Sequence, residues 1–155
     1  MVQVGDKIPS IDLDENSPSK QVDLSKELAK GKGLIIGVPA AFSPTCSDTH
    51  IPNYIGHPSL SKAGSVFVVS VNDAFVMNAW GKSLDKEKSS GIRFLGDKAA
   101  AFSKALAVEF DATPVLGGIR SKRYAITTED GTVTGVFVEP DNTGLDVSAA
   151  EKILA

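Results

Sequence analysis

Only one cysteine, Cys46, occurs in the 155 residues, so the chain forms no intrachain disulfide and supplies neither a two-cysteine nor a four-cysteine metal site. A disulfide-stapled secreted scaffold is thereby excluded. Charge of one sign is equally scarce. The 16 Lys plus Arg against 19 Asp plus Glu leave a net charge of −3, with no basic footprint for nucleic acid. Long apolar runs are also missing. The longest uncharged stretch, Gly33 to Ser47, falls short of the roughly 20 residues a bilayer demands and is broken by Pro39 and Pro44, so no membrane partner is expected. Met1 to Ile8 carries Asp6 and Lys7 where a signal peptide would be apolar, which points to a reducing, cytoplasmic compartment. The C-terminal Ile153-Leu154-Ala155 is not an SKL-like signal, and peroxisome and mitochondrion stay as alternative compartments. What is present, 42% hydrophobic and 23% charged residues, suits a globule with one core, and a single domain over residues 1–155 is expected.

Hydrophobic periodicity orders the elements. Val4 to Asp14 reads as an extended lead-in, and Glu15 to Lys20, with Asn16, Ser17, Pro18 and Ser19, as a loop. Leu24 to Ala29 is a short helix stopped by Gly31 and Gly33, and Leu34 to Val38 is a buried central strand. Beyond the turn at Pro39, Cys46 to about Ile55 is helical, with Pro52 kinking or dividing it. Ser65 to Val71 is a second buried strand. Asp73 then caps a helix over Ala74 to Lys82 whose apolar residues are Phe75, Val76, Ala79 and Trp80. Ile92 to Leu95 and a helix over Ala99 to Val108, capped by Asp97, repeat the pattern. Arg123 to Thr128 and Thr132 to Glu139 alternate as an antiparallel hairpin across Glu129, Asp130 and Gly131. Ser148 and Glu151 fit a capping box for a closing helix, Ala149 to Leu154. Strands alternating with helices predict an α/β fold of thioredoxin-like kind, a mixed central sheet flanked by helices on both faces.

The lone thiol falls where the first strong strand passes into the next helix. A helix start offers unpaired N–H groups and the positive end of the dipole, both of which favour thiolate over thiol and make a nucleophile. The competing reading is a small, inert, buried Cys46. Ser43, three residues earlier, reaches the same pocket in a tight turn, or serves only as a helix cap; Pro39 and Pro44 stiffen the backbone, or only end a strand. His50, four residues after Cys46, shares its helix face, but a hydrolytic Cys-His pair needs an orienting third group and none follows, so a surface polar role is expected. Cys46, His50 and His57 match no usual zinc spacing, and no metal is expected. Gly31, Gly33 and Gly37 lack the GxGxxG order, so no dinucleotide cofactor is expected either.

The stretch Pro39 to Cys46 resembles the Pro-x-x-x-Thr/Ser-x-x-Cys signature of peroxiredoxins, with Ser43 in the Thr/Ser slot. AAFSPTCSDTHIPNY around it, NDAFVMNAWGK at Asn72 to Lys82, RSKRYA at Arg120 to Ala125 and VEPDNTG at Val138 to Gly144 resemble the type 5, or type II, subgroup of fungal PMP20-like and plant enzymes. The resemblance implies a thioredoxin-like fold. It also implies reduction of hydrogen peroxide and alkyl hydroperoxides through a Cys46 sulfenic acid. By the same resemblance Ser43 hydrogen-bonds the peroxide, Pro39 shields the pocket and Arg123 stabilises thiolate and peroxide. Without it, Arg123 would read as a surface strand residue. Arg120 has at most a supporting role. Many relatives carry a second, resolving cysteine after a Gly-Leu pair, but Gly144 to Ser148 contains none. An external thiol such as glutathione, glutaredoxin or thioredoxin is therefore the expected reductant. The family also implies a homodimer, using the neighbourhoods of Phe42 and Trp80. Two rival classes are a glutathione-dependent thiol transferase and a non-catalytic thioredoxin-like redox sensor or chaperone module. A transferase more often carries CxxC or CxxS, whereas Ser47, Asp48 and Thr49 follow Cys46.

Overall fold

In the computed structural model, the apolar run of β3 (Lys32–Val38) sends Leu34, Ile36 and Val38 to one face of a sheet and Ile35 to the other. Residues 1–154 are described; Ala155, the end of the C-terminal tripeptide, lies outside the described residues. β4 (Ser65–Ser70) and β5 (Arg93–Gly96) divide in the same way, with Val66, Val68 and Phe94 on the side of Leu34 and Phe67, Val69 and Leu95 on the side of Ile35. Strands apolar on both faces need cover on both. α1 (Leu24–Glu27) and α4 (Ala101–Ala105) bring Leu24 and Phe102 to the Ile35 side. α2 (Ile51–Ile55), α3 (Ala74–Leu84) and α6 (Ala150–Ile153) bring Ile51, Trp80 and Ala150 to the other.

With β1 (Asp12–Glu15), β2 (Ser17–Asp23), β8 (Tyr124–Glu129) and β9 (Thr132–Val138), the sheet has seven strands in the order β2-β1-β5-β4-β3-β8-β9. β3, β4 and β5 run parallel, and β8 runs antiparallel beside β3. This is the expected thioredoxin-like mixed sheet with helices on both faces. Gly37 pairs with Tyr124, and a Cβ there would lie 1.9 Å from the tyrosine ring, so only glycine lets the ring cross the strand. The β8–β9 hairpin turns through Asp130 and Gly131, both at positive φ (51° and 79°), as the Asp-Gly pair predicts. Among the described residues no helix is long and apolar enough to cross a membrane.

The structure departs from the sequence reading in several places. Residues 15–20 are not a loop. Most of them form β2, which pairs only with β1 at the sheet edge, where Pro18 is tolerated because an outer N–H has no partner to lose. The helix expected over Ala99 to Val108 shrinks to α4, because Ala100 adopts φ +59°, and Asp97 reaches past it to accept the amides of Phe102 and Ser103. Asp73 caps α3 as expected, accepting the Val76 amide at 2.8 Å. That helix turns Ala74, Met77, Trp80 and Gly81 inward, however, and leaves Phe75 63% exposed. The Ser148 capping box does not form, since Ala149 takes the cap position and the Ser148 hydroxyl serves Glu139 instead. A small ribbon, β6 (Glu109–Asp111) and β7 (Ile119–Ser121) around α5 (Thr113–Leu116), has strands too short for periodicity to reveal.

Candidate active site

The thiol belongs to a helix that starts just beyond the C-terminal end of β3. Pro39 is buried, and the chain then turns so that the Ala40 carbonyl accepts both the amide (3.4 Å) and the hydroxyl (2.8 Å) of Ser43. The Asn72 side-chain oxygen accepts the Ala41 amide at 3.1 Å, and Phe42 sits at φ +64° with its ring 54% exposed. Winding starts at Pro44, a favoured first helical residue because its missing N–H would have had no partner, and the Ser43 carbonyl accepts the Ser47 amide at 2.9 Å. Cys46 thus lies in the first turn, as the sequence suggests. From Cys46 to His50 the helix widens to π geometry, with the Ile51 amide donating five residues back to Cys46. Pro52 has no N–H to give and its ring crowds the preceding turn, which is why the winding opens ahead of it and α2 follows as a separate segment. The wide turn buries Cys46 and His50 together.

Arg123 reaches this turn from the neighbouring strand. It immediately precedes β8, whose antiparallel register sets Tyr124 opposite Gly37 and so carries Arg123 to the end of β3 where the cysteine turn begins. Its Nη1 donates to Cys46 Sγ at 3.2 Å and to His50 Nδ1 at 2.9 Å, while Nε donates to the Thr143 carbonyl at 3.2 Å. At 2% exposure Arg123 is not the surface residue that its composition alone suggests. Among the described residues no carboxylate lies within ion-pair distance of it, and its side-chain partners are the Cys46 sulfur and the His50 ring.

His50 is 1% exposed, which overturns the surface role read from the sequence. Burial pushes its imidazole down, and the adjacent Arg123 pushes it further, to about 3. The ring is therefore neutral. Because Nδ1 accepts from Arg123, the proton resides on Nε2, which faces the Ser148 carbonyl at 3.3 Å. His50 does not act as base toward the sulfur; its free lone pair is already engaged by the guanidinium.

The same carbonyl accepts the Tyr54 hydroxyl at 2.5 Å. Ser148 is held in turn by Glu139, whose carboxylate accepts its amide (2.9 Å) and hydroxyl (2.6 Å) and the amide of Asp146 (2.9 Å). Burial raises the Glu139 carboxyl, but these donors more than offset it and keep the group below the usual carboxylate range.

Of the residues singled out from the sequence, Cys46 and Arg123 are in direct contact, and Pro39 and Ser43 stand in the turn leading to the thiol. The Ser43 hydroxyl donates to Ala40, not to sulfur. Arg120 points elsewhere, its guanidinium holding the Val71 and Leu116 carbonyls at 3.0 and 3.4 Å. Trp80 is fully buried and donates to the Ser47 hydroxyl, so the aromatic group divides: Phe42, 6.5 Å from the Trp80 ring, and Phe75 face outward. Sequence reasoning missed Tyr54, Glu139 and Ser148 and misplaced His50. The available signal was the four-residue spacing from Cys46 to His50 ahead of Pro52. No group of three or more His, Cys, Asp or Glu is placed to hold a metal among the described residues. A cavity of about 540 Å³ is lined by Lys32, Leu34 and Lys62 and by none of the residues around the thiol.

The Redoxin family pattern matches residues 3–154. Peroxisomal membrane associated protein 20 of Schizosaccharomyces pombe is 42% identical over 158 residues, covering 100% of this chain and 99% of that protein. Peroxiredoxin-2C of Oryza sativa is 38% identical, covering 99% of this chain and 96% of that protein. Among solved structures, reduced Prx3 of Vibrio vulnificus in complex with hydrogen peroxide superposes with a TM-score of 0.90 at 38% identity, over 99% of this chain and 98% of that one.

Proposed function

This chain belongs to the Redoxin family and is a peroxiredoxin, a thiol-dependent peroxidase, and from that premise we propose that Cys46 is its peroxidatic nucleophile, acting on hydrogen peroxide and alkyl hydroperoxides. The single observation that carries this assignment is the guanidinium N–H of a buried Arg123 aimed at the Cys46 sulfur at 3.2 Å.

In the proposed reaction the Cys46 thiolate attacks one peroxide oxygen and the O–O bond breaks. Sulfur is oxidised to sulfenic acid, and the departing oxygen leaves as water or alcohol after taking up a proton. Negative charge passes from sulfur to that oxygen, and Arg123, permanently charged, stabilises both ends of the path without titrating. The Ser43 hydroxyl has committed its proton to Ala40, so its lone pairs accept the O–H of the peroxide. Pro39 shields the pocket. With no second cysteine in the chain, one external thiol condenses with the sulfenic acid to release water, and a second restores Cys46 by exchange. Glutathione, glutaredoxin and thioredoxin are the candidate reductants. A single domain over residues 1–155 carries this chemistry. Exposed Phe42 and Phe75 support a homodimer formed beside the thiol, for which sedimentation of dilute protein as a monomer would be the contrary result. The peroxisomal name of the fission-yeast relative makes the peroxisome a compartment to test beside the cytoplasm.

The assignment is tested by stopped-flow mixing of reduced protein with hydrogen peroxide and with an alkyl hydroperoxide, followed by trapping of the sulfenic acid. Wild type reacts far faster than a free thiol at the same pH, and Cys46→Ser does not react. A wild-type rate equal to that of a free thiol refutes it.

A further inference from the structure

Arg123 holds the sulfur and His50 holds Arg123, but His50 itself has two equivalent ways to fail. A neutral imidazole with its proton on Nδ1 would present a donor to a donor, and a rotated ring would present no lone pair at all. What selects the working arrangement is the Ser148 carbonyl, which faces Nε2 and leaves Nδ1 free to accept. That carbonyl lies in the irregular segment between β9 and α6, not in a sheet ladder, so its direction depends on what grips the segment.

The grip is a single buried carboxylate. Glu139, 2% exposed, accepts the amides of Asp146 and Ser148 and the Ser148 hydroxyl, with the Val147 amide further off at 3.4 Å. The Glu139 amide also donates to the Arg123 carbonyl at 3.0 Å, and the Arg123 amide to Asn142 at 2.7 Å, so the segment and the arginine are fastened together at both backbone and side chain. No ion pair explains a carboxylate here, and it does not contact the sulfur. Its bonding capacity is spent on the Asp146 and Ser148 amides and the Ser148 hydroxyl, and the Ala149 amide, in the same peptide unit as the Ser148 carbonyl, donates in turn to the Asp146 carbonyl at 3.1 Å.

We propose that Glu139 is a positioning residue for the peroxidatic pocket: by clamping residues Asp146 and Ser148 it fixes the turn whose Ser148 carbonyl holds His50 in the Nε2–H form, and so presents Nδ1 to Arg123. The inference rests on the peroxidase reading above and extends it to a residue outside the Pro39-to-Cys46 signature, in the VEPDNTG segment, to which no role was given. Glutamine at this position keeps the volume but replaces one acceptor oxygen by donors that would face the segment's N–H groups.

The test combines stopped-flow oxidation by hydrogen peroxide with ¹⁵N NMR of the His50 ring in the reduced protein, which reports the tautomer directly. Glu139→Gln is expected to slow oxidation about ten-fold or more, as small misplacements of a catalytic group do, and to move His50 out of the pure Nε2–H form. Ser148→Ala, which deletes only the hydroxyl donor, shifts both readouts in the same direction by less. Asp97→Asn weakens a comparable carboxylate clamp on the far side of the sheet, and leaves rate and tautomer unchanged. Wild-type nitrogen shifts in Glu139→Gln overturn the inference whether or not the rate falls, since any loss would then bypass the imidazole. If that variant does not fold, wild-type readouts in Ser148→Ala overturn it. A wild type that is itself slow refutes the peroxidase reading, whereas a fast wild type with unaffected variants refutes the role of Glu139 alone.

Discussion

The two faces of the central sheet are built from the same alternating strands, yet only one carries chemistry. On the side of Ile35, Leu95 and Phe102 the core cluster is hydrocarbon apart from Tyr124, fully buried with its hydroxyl unpartnered, and the buried Asp97 at its margin is spent on the Phe102 and Ser103 amides. On the side of Leu34 and Ile36 the core includes Cys46, with Arg123 buried against the sulfur and His50 against Arg123. The difference lies at the strand ends. The reactive face is closed by a proline-bounded turn and the 139–149 segment, whose backbone groups are free to bond side chains. The inert face is closed by α1, the short α4 and the irregular N-terminal residues Val2 and Ile8, and the one carboxylate clamp there, Asp97 on the Phe102 and Ser103 amides, meets no thiol or cation among the described residues. Irregular backbone borders both faces, so what sets the candidate site apart is the buried arginine brought to the thiol.

Three changes separate the faces further. The largest concerns Phe102, fully buried on the inert side: Phe102→Ala should cost about 3–5 kcal/mol by chemical denaturation, as large-to-small core changes do. The peroxide rate per folded molecule should stay at the wild-type value, and a rate that fell in step with stability would dissolve the contrast. Arg123→Ala does the opposite. It should slow oxidation about 10²- to 10³-fold in stopped flow, the range found when a charge-stabilising donor is removed, and the folded protein should survive it.

Gly37→Ala sharpens the contrast at smaller scale. The new Cβ would meet the Tyr124 ring at 1.9 Å on the inert side, and the forced shift should lower stability by about 1–3 kcal/mol in urea titrations. Because Gly37 and Tyr124 pair next to Arg123, a rate loss here would show strain crossing the sheet.

The acid response of His50 is the mildest of the effects expected at neutral pH. Its folded-state value, about 3, lies below the ordinary 6.5, so between these pH values the unfolded chain binds a proton that the folded protein refuses. The contribution of this site to stability is at its best above pH 6.5 and falls as pH drops, by up to one proton's slope. Comparing urea midpoints of wild type and His50→Gln across pH 3–7 isolates that slope. Equal pH dependence in the two proteins would contradict a neutral, buried imidazole.

Much of the site was legible in the linear chain. Cys46 follows a strand and opens a helix, Pro39 and Ser43 precede it at motif spacing, and Pro52 announces a break in the winding. The core strands were legible too, because unbroken apolar runs, apolar on both faces of a strand, demand cover on both. The acidic anchor was not. Glu139 reads as the tail of a strand and Ser148 as a helix cap, since each has a sound local use, and the bond between them spans nine residues of irregular chain. His50 was misplaced for a related reason: a polar residue four positions after a cysteine is usually solvated, and only an arginine arriving from β8 makes its burial tolerable.

Local pattern alone thus determined the α/β alternation, the central strands and the place of the lone thiol at a helix start, because strand periodicity, turn chemistry and helix starts are short-range properties of a chain. The resemblance named Arg123, but its burial against the sulfur, the tautomer His50 adopts and the carboxylate that steadies the segment beside it were decided only on folding. The contacts of Arg123 with Cys46 and His50, and of the His50 ring with Ser148, join residues 73 to 98 positions apart, and their energies depend on a shared dry environment that no single segment possesses.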